Sequence, residues 1–392
     1  MTIVGLGEDG PEGLGSASLE ALLTAEVIMG TERLLAMVPD SDAERIIWPV
    51  PFADGLDLLD RQRGRRVVVL ASGDPFWFGA GSVIARRYEA SEWKALPGVS
   101  VFSLAAARLG WPLQDTECLG LHAAPFSRLR PVLAQGQKVI VTLRDGAAVG
   151  DLSNYLKDLN FGDSRLYIME ALGGPRERIR ETTAETHALG DVTHPVVVAL
   201  KVSNGPALAR ASGRPDDIFD SDGQITKRPI RALTLSALAP KPGERLWDIG
   251  AGSGSIAIEW LLSHPTTEAI AIEAREDRAL RVRKNADALG QDRLRVVTGK
   301  APDALAGLAA PDAVFVGGGL TQGGLDWLWQ TLAPGTRIVA NAVTLDTQAL
   351  LTEAQAAHGG ALLKIDLAEA APLGGFRGWK AGYTLMQWSV VR

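Results

Sequence analysis

Short apolar runs alternate along this chain with stretches whose apolar positions recur every three or four residues, the patterns of strands and amphipathic helices in turn. From the amino terminus come TIVGLG (2–7), the helix-like SLEALLTAEVI (18–28), RRVVVLASG (65–73), the helix-like GSVIARRYEA (81–90) and VSVFSLAAARLG (99–110). Such β–α alternation predicts a mostly parallel sheet. Gly110-Trp111-Pro112 breaks the series, and a second one runs through KVIVTLR (138–144), DLSNYLKDL (151–159), SRLYIMEAL (164–172) and PVVVALKVS (195–203). These β-branched, uninterrupted runs predict strands covered on both faces.

Between Ser203 and Gly223 the chain turns to Gly, Pro, Ser and Asp without sustained periodicity, which reads as a linker with a boundary near residue 215. Beyond it a fresh series begins. Strands are expected at ERLWDIG (244–250), EAIAIEA (268–274), LRVVTG (294–299), DAVFVGG (312–318), TRIVANA (336–342) and YTLMQWSVVR (383–392), with helices through 255–262, 278–289, 325–332 and 347–358. The fold class is therefore α/β throughout: a first domain over 1–212, in lobes of about 1–112 and 113–205, and a doubly wound second domain over 213–392.

Composition narrows the class. Hydrophobic residues at 46% and charged residues at 22% are ordinary for a globular enzyme. The single cysteine, Cys118, excludes an internal disulfide and any CxxC zinc or redox site, so a reducing, cytoplasmic setting is expected. No window reaches the ~18 apolar residues of a membrane span, and the amino terminus lacks signal-peptide organisation. Forty Lys and Arg against 46 Asp and Glu leave a net charge of −6, opposite to the footprint of a nucleic-acid binder. A small polycarboxylate needs only a local basic cluster and stays admissible.

The strongest local signal is Asp248-Ile249-Gly250-Ala251-Gly252-Ser253-Gly254, directly after one expected strand and before the apolar stretch IAIEWLL (256–262). Glycines there let the backbone turn sharply and approach a ligand, and the following helix presents unpaired N–H groups. Twenty-three positions after Gly250, Glu273 ends the next strand, where a carboxylate can accept both hydroxyls of a ribose. A nicotinamide fingerprint would require glycine at position 255, which is serine; the leading Asp248 favours S-adenosylmethionine instead. Gly299-Lys300-Ala301-Pro302-Asp303 closes the third strand, where an adenine could be bracketed. Gly317-Gly318-Gly319 follows the fourth, where an amine-methylating enzyme would often carry an Asn/Asp-Pro-Pro-aromatic loop. A glycine loop without a proton acceptor suits a bulky carbon nucleophile, although it could equally be a simple strand-to-helix turn. Lys227, Arg228 and Arg231 cluster at an expected helix start, where positive charge opposes the dipole and hints at an anionic ligand.

Across nearly the whole second domain, ITKRPIRALTLSAL (225–238), the Asp248–Gly254 loop, GKAPDAL (299–305) and ANAVTLDT (340–347) make the chain resemble class I methyltransferases, specifically the carbon-15-methylating, decarboxylating component of cobalamin synthesis. That resemblance implies cofactor contacts at Thr226, Gly250, Ala251, Gly252, Ser253, Gly254, Glu273 and Ala301. Substrate contacts are expected at Lys227, Arg228, Arg231 and Gly317–Gly319. The first domain resembles the tetrapyrrole methylase family through VGLGEDG (4–10), GTERLL (30–35), SGDPFWFG (72–79) and PGVSVFSLAAARLGWP (97–112), with GEDG in place of the commoner GPGD. Here the resemblance implies that Gly73, Asp74, Pro75 and Ser100 cradle S-adenosylmethionine in a cleft between two α/β lobes. Gly5, Gly7 and Gly10 satisfy a dinucleotide spacing, but the helix starts too late, near Ser18, so they read as the floor of that cleft.

Together the two resemblances imply a bifunctional enzyme of cobalamin biosynthesis with one S-adenosylmethionine site per domain. It would methylate a precorrin at carbons 5 and 15 and remove the ring C acetate carboxylate. Methyl transfer is an in-line displacement in which the enamine-like macrocycle is the nucleophile, leaving the protein to position, exclude water and manage protons. No metal is expected, since none of the five histidines has ligand spacing; His122 in LGLHAAP (119–125) is the one to test. A homo-oligomer without membrane or nucleic-acid partners is anticipated. The alternative reading is a fused RNA-modifying methyltransferase.

Overall fold

The computed structural model describes residues 1–392 and divides into two compact units, Met1–Phe126 with Val132–Ala207, and Ser127–Pro131 with Leu208–Arg392. No helix is long and apolar enough to cross a membrane.

The first unit holds two sheets. Strands β1 (Thr2–Leu6), β2 (Val27–Gly30), β3 (Glu44–Ile47), β4 (Val67–Ser72) and β5 (Lys94–Leu96) form a parallel sheet in the order β3-β2-β4-β1-β5. Strand alternation divides its apolar residues between two cores: Ile3, Met29 and Val69 on one face, Val4, Ile28 and Leu70 on the other. The predicted helix over 18–28 is shorter, Ser16–Leu23, because Val27 and Ile28 at its end belong to strand β2, buried at every position. The helix Val101–Leu109 ends at Gly110 in a left-handed cap, which accounts for the break there.

Strands β6 (Thr116–Gly120), β7 (Lys138–Thr142), β8 (Arg165–Glu170), β9 (Arg178–Thr183) and β10 (Val196–Lys201) make the second sheet, in the order β6-β7-β10-β8-β9. Only β6 and β7 are parallel; the other pairings are antiparallel. The expectation of a mostly parallel sheet fails in this lobe, because an unbroken apolar run such as VVVALK reports cover on both faces and carries no information on strand direction. The polar edge strand β9, RIRETT, carries a single apolar residue, Ile179, too few for an apolar pattern.

In the second unit, β11 (Arg245–Ile249), β12 (Glu268–Glu273), β13 (Arg295–Thr298), β14 (Ala313–Val316), β15 (Arg337–Ala342) and β16 (Ala361–Ile365) precede a hairpin of β17 (Ala368–Leu373) and β18 (Phe376–Ala381), and β19 (Leu385–Val391) ends the chain. The large sheet runs β13-β12-β11-β14-β15-β19-β16, with β19 antiparallel to both neighbours. Leu246, Phe315 and Val339 meet the helices Arg228–Leu238, Ser255–Leu261 and Glu276–Ala288 on one face. Trp247, Ile270 and Val314 meet Gln322–Thr331 and Leu345–His358 on the other. The chain order reverses between β11 and β14, and at such a switch point ligands meet the carboxyl ends of the strands.

The segment read as a linker is largely part of this unit. From Leu208 onward it packs on the core, with Phe219 buried and the Gly213 and Arg214 N–H groups donating to Glu259 at 2.7 and 2.9 Å. Its Gly, Pro and Asp content marks turns rather than looseness.

Candidate active site

In the first unit a cavity of about 860 Å³ lies between the loops that follow β1, β2 and β4 and the edge of the second sheet where β6 and β7 end and β10 begins. Gly7 and Gly73 line it, and Gly5 of β1 and Gly98, which are not on the wall, pack directly against Gly73. A Cβ on Gly5 would stand 1.9 Å from the Gly73 carbonyl and 2.3 Å from the Gly98 nitrogen, so no larger residue fits where the signature segments meet. Gly98 also donates to the Gly73 carbonyl at 3.1 Å.

Gly73, Asp74 and Ser100 line the cavity. Asp74 accepts the Phe76 N–H at 2.8 Å, and Ser100 caps the helix Val101–Leu109 by accepting from Phe102 at 3.2 Å. Pro75 is off the wall: it is buried behind the turn, where its carbonyl accepts from Gly81 at 2.8 Å. Trp77 stacks on Phe102 at 5.2 Å, and Phe78 sits nearby in a left-handed backbone, φ 57°, a conformation a bulky residue adopts only where its surroundings enforce it.

Polar groups converge on the same cavity. Glu8 accepts from Arg33, which donates to the Ser72 hydroxyl at 2.8 Å, and from Arg176 at 3.4 Å. The cavity faces of the second sheet carry His122, Thr142, Arg144 and His194. Both histidines are exposed at the cavity wall, where partial desolvation lowers their basicity, and for His194 the Arg33 charge adds to it. Cys118, by contrast, is half-buried outside the cavity lining, and burial, reinforced by Glu117, pushes its thiol up to about 11.

In the second unit the loop after β11 turns through three left-handed glycines, Gly250, Gly252 and Gly254. Asp248 is 1% exposed: one carboxylate oxygen accepts the Ala257 N–H at 3.1 Å, and the other is buried without a partner. Burial pushes its carboxyl up to about 7, the Ala257 bond opposing and the Glu273 charge adding. Glu273 accepts Gly252 N–H at 2.9 Å and Arg275 N–H at 3.0 Å. The Gly317–Gly319 turn abuts the same loop: Gly317 donates to the Ile249 carbonyl at 3.0 Å, and a Cβ on Gly250 would stand 3.1 Å from the Gly318 carbonyl. Gln224 approaches Gly252 from the other side, so the chain just before Thr226 borders the loop. Ala301 is exposed in the turn after β13.

The three basic residues part company. Lys227 and Arg228 are exposed, whereas Arg231 is fully buried, donating to Glu259 at 2.7 Å, to Asp216 at 3.0 Å and to the carbonyls of Thr226 and Arg214. Arg231 thus cannot serve as the substrate contact expected of it; its charge neutralises a buried glutamate. Sequence reasoning missed that glutamate, and also Asn285, whose amide donates to the Ser253 and Asp220 carbonyls at 2.8 and 2.9 Å and ties the glycine loop to the segment before Thr226. The signal for Glu259 was present as a lone charge inside IAIEWLL.

Residues 1–188 match the family model described as Tetrapyrrole (Corrin/Porphyrin) Methylases, and residues 217–392 match one described as Precorrin methyltransferase domain. The chain is 46% identical, over 99% of its length and 95% of the relative's, to a protein of Sinorhizobium sp named precorrin-6Y C(5,15)-methyltransferase [decarboxylating]. A Mycobacterium tuberculosis (strain CDC 1551 / Oshkosh) protein of the same name is 41% identical over 100% of both chains. Among solved structures, the C-terminal domain of precorrin-6Y C5,15-methyltransferase from Rhodobacter capsulatus is 56% identical, covering 47% of this chain and 100% of that one, with a TM-score of 0.46.

Proposed function

The chain belongs to the precorrin-6Y C(5,15)-methyltransferase (decarboxylating) family, and from that premise we propose that its two units share two methylations of one precorrin, each using its own S-adenosylmethionine. The first unit methylates carbon 5; the second methylates carbon 15 and removes the ring C acetate carboxylate as carbon dioxide. The observation that carries this reading is the end-to-end match, 41% identity over 100% of both chains, to a relative named for both methylations and the decarboxylation.

S-adenosylmethionine, when bound, supplies an electrophilic methyl group. The second unit fits it: each Glu273 oxygen accepts one backbone N–H, and an ionised carboxylate oxygen can accept a second bond, here from a ribose hydroxyl. Gly250–Gly254 let the backbone pass close to the donor, with Thr226 and Ala301 at its flanks, while Lys227 and Arg228 meet peripheral carboxylates of the macrocycle near Gly317–Gly319. In the first unit Gly73, Asp74 and Ser100 hold the donor against a cavity whose size suits a small-molecule site.

The net charge of −6 supports a protein without nucleic-acid partners, and the lone cysteine supports a cytoplasmic setting. Self-association is supported by the β17–β18 hairpin, whose Leu373, Phe376 and Trp379 are exposed.

Incubation of the full chain with precorrin-6Y and S-adenosylmethionine tests the assignment. Mass spectrometry is expected to show two methyl groups gained and one carbon dioxide lost. A single methyl, or a retained carboxylate, would overturn it. Calorimetric titration should find two donor sites, and one site would sink the division of labour.

A further inference from the structure

The geometry points to His122 as the catalytic base that takes the proton released when the first unit methylates its acceptor carbon. This rests on the reading of that unit as a carbon methylase.

His122 follows β6, and Thr142 ends β7; Gly120 and Thr142 are register partners in the only parallel pair of that sheet. Both side chains line the cavity, and His122 Nδ1 is hydrogen-bonded to the Thr142 hydroxyl at 3.2 Å. In the tautomer that donates Nδ1–H to Thr142, the ring is held in place and Nε2 keeps its lone pair for a substrate.

The other charged or titratable side chains on the wall are Glu8, Arg33, Asp74, Arg144 and His194. Glu8 is paired with Arg33, and Asp74 is bound to its own turn. Arg144 is paired with Asp145 at 2.8 Å. His194 stands beside Arg33, whose charge opposes protonation. His122 has no such cation acting on it; exposed at the cavity wall, it is only partly desolvated, which lowers its basicity and leaves the ring neutral and able to accept a proton near pH 7.

The step balances without a further reagent. The enamine-like carbon attacks the sulfonium methyl, so a carbon–carbon bond forms as the sulfur–carbon bond breaks and its pair goes to sulfur. The macrocycle is left as an iminium. The proton on the newly methylated carbon then passes to Nε2, the C–H pair restores conjugation, and the imidazolium returns its proton to water.

His122→Gln in the full chain, assayed with precorrin-6Y and S-adenosylmethionine across about pH 5–9, tests the role. Wild-type carbon 5 methylation is expected to rise with pH to a plateau through an apparent pKa below the imidazole norm. In the variant it falls about 100-fold and loses that acid limb, while carbon 15 methylation and donor affinity stay unchanged. Imidazole added to His122→Ala should restore part of the rate. A variant with the wild-type rate, or one slowed with its acid limb intact, overturns the role of His122 alone. A wild-type chain that leaves carbon 5 unmethylated overturns the underlying reading of the first unit.

Discussion

From the end of β12, the carboxylate of Glu273 accepts the backbone N–H of Gly252 at 2.9 Å, so one acid fixes the glycine loop and keeps lone pairs that its backbone partners do not use. Glu273→Gln removes the charge and turns one acceptor into a donor, leaving Gly252 or Arg275 facing an N–H. Donor affinity at the second unit's site should fall by roughly 1–3 kcal/mol, with the first unit's site untouched. Titration calorimetry on the full chain resolves the two. Equal affinities at both sites in variant and wild type would remove Glu273 from the site.

Gly254 is held at φ 77°, and a Cβ there would meet Val282 Cγ1 at 2.7 Å. Gly254→Ala thus combines left-handed strain with a clash against a buried side chain. A loss of about 1–3 kcal/mol is expected, read as an earlier denaturant midpoint at unchanged slope. Wild-type stability would mean that the helix carrying Val282 can give way.

The buried Arg231–Glu259 pair, at 2.7 Å and with both side chains fully enclosed, separates structure from function in the basic cluster. Arg231→Ala leaves Glu259 with only the Arg214 guanidinium at 3.5 Å and the Gly213 and Arg214 N–H groups, so the loss should be no more than the about 3–5 kcal/mol of an unpaired buried charge. Lys227→Ala with Arg228→Ala should leave stability within ~0.5 kcal/mol, while yielding a macrocycle methylated at carbon 5 with its ring C acetate intact. Full product from that double variant would show the two exposed residues to be solvated charge only.

What was legible in the sequence is what adjacent residues encode. Strand, glycine loop, helix and acid at the next strand end occupy one continuous stretch, so Gly250–Gly254 and Glu273 could be placed together. The burial of Arg231 was hidden, because its partner Glu259 lies 28 positions on and only packing brings them into contact. The first unit's cavity is further still from local encoding: Glu8 meets Arg176 across 168 positions, and His122 faces it from a different sheet than Gly73. The hairpin of β17 and β18 also escaped, since AEAAPL and FRGWKA alternate too weakly to announce strands that bury almost nothing.

Asp248 makes the second unit's stability depend on pH in a direction opposite to that of most carboxylates. Its folded carboxyl stands at about 7, against an ordinary value of 3.8, chiefly because burial penalises the charge. Between those values the folded state holds a proton that the unfolded state has released, so stability falls as pH rises through this window and levels off above it. Every tenfold difference in proton affinity between the folded and unfolded chain is worth about 1.4 kcal/mol. Glu170, Asp191 and Asp222 are all lowered to about 2 by arginine and backbone partners, so their stabilisation is complete above the unfolded carboxylate range and is lost only in acid. Over about pH 5–8 Asp248 is therefore the one carboxylate of these four still titrating in the folded chain. Asp248→Asn keeps an acceptor for the Ala257 N–H and removes the ionisation. Its melting temperature relative to wild type should rise from pH 5 to about pH 7 and level off towards pH 8 in parallel scans of the full chain. A difference that is flat across that range, or that shrinks with pH, would mean that Asp248 is already ionised in the fold and that a charge on its buried oxygen is tolerated.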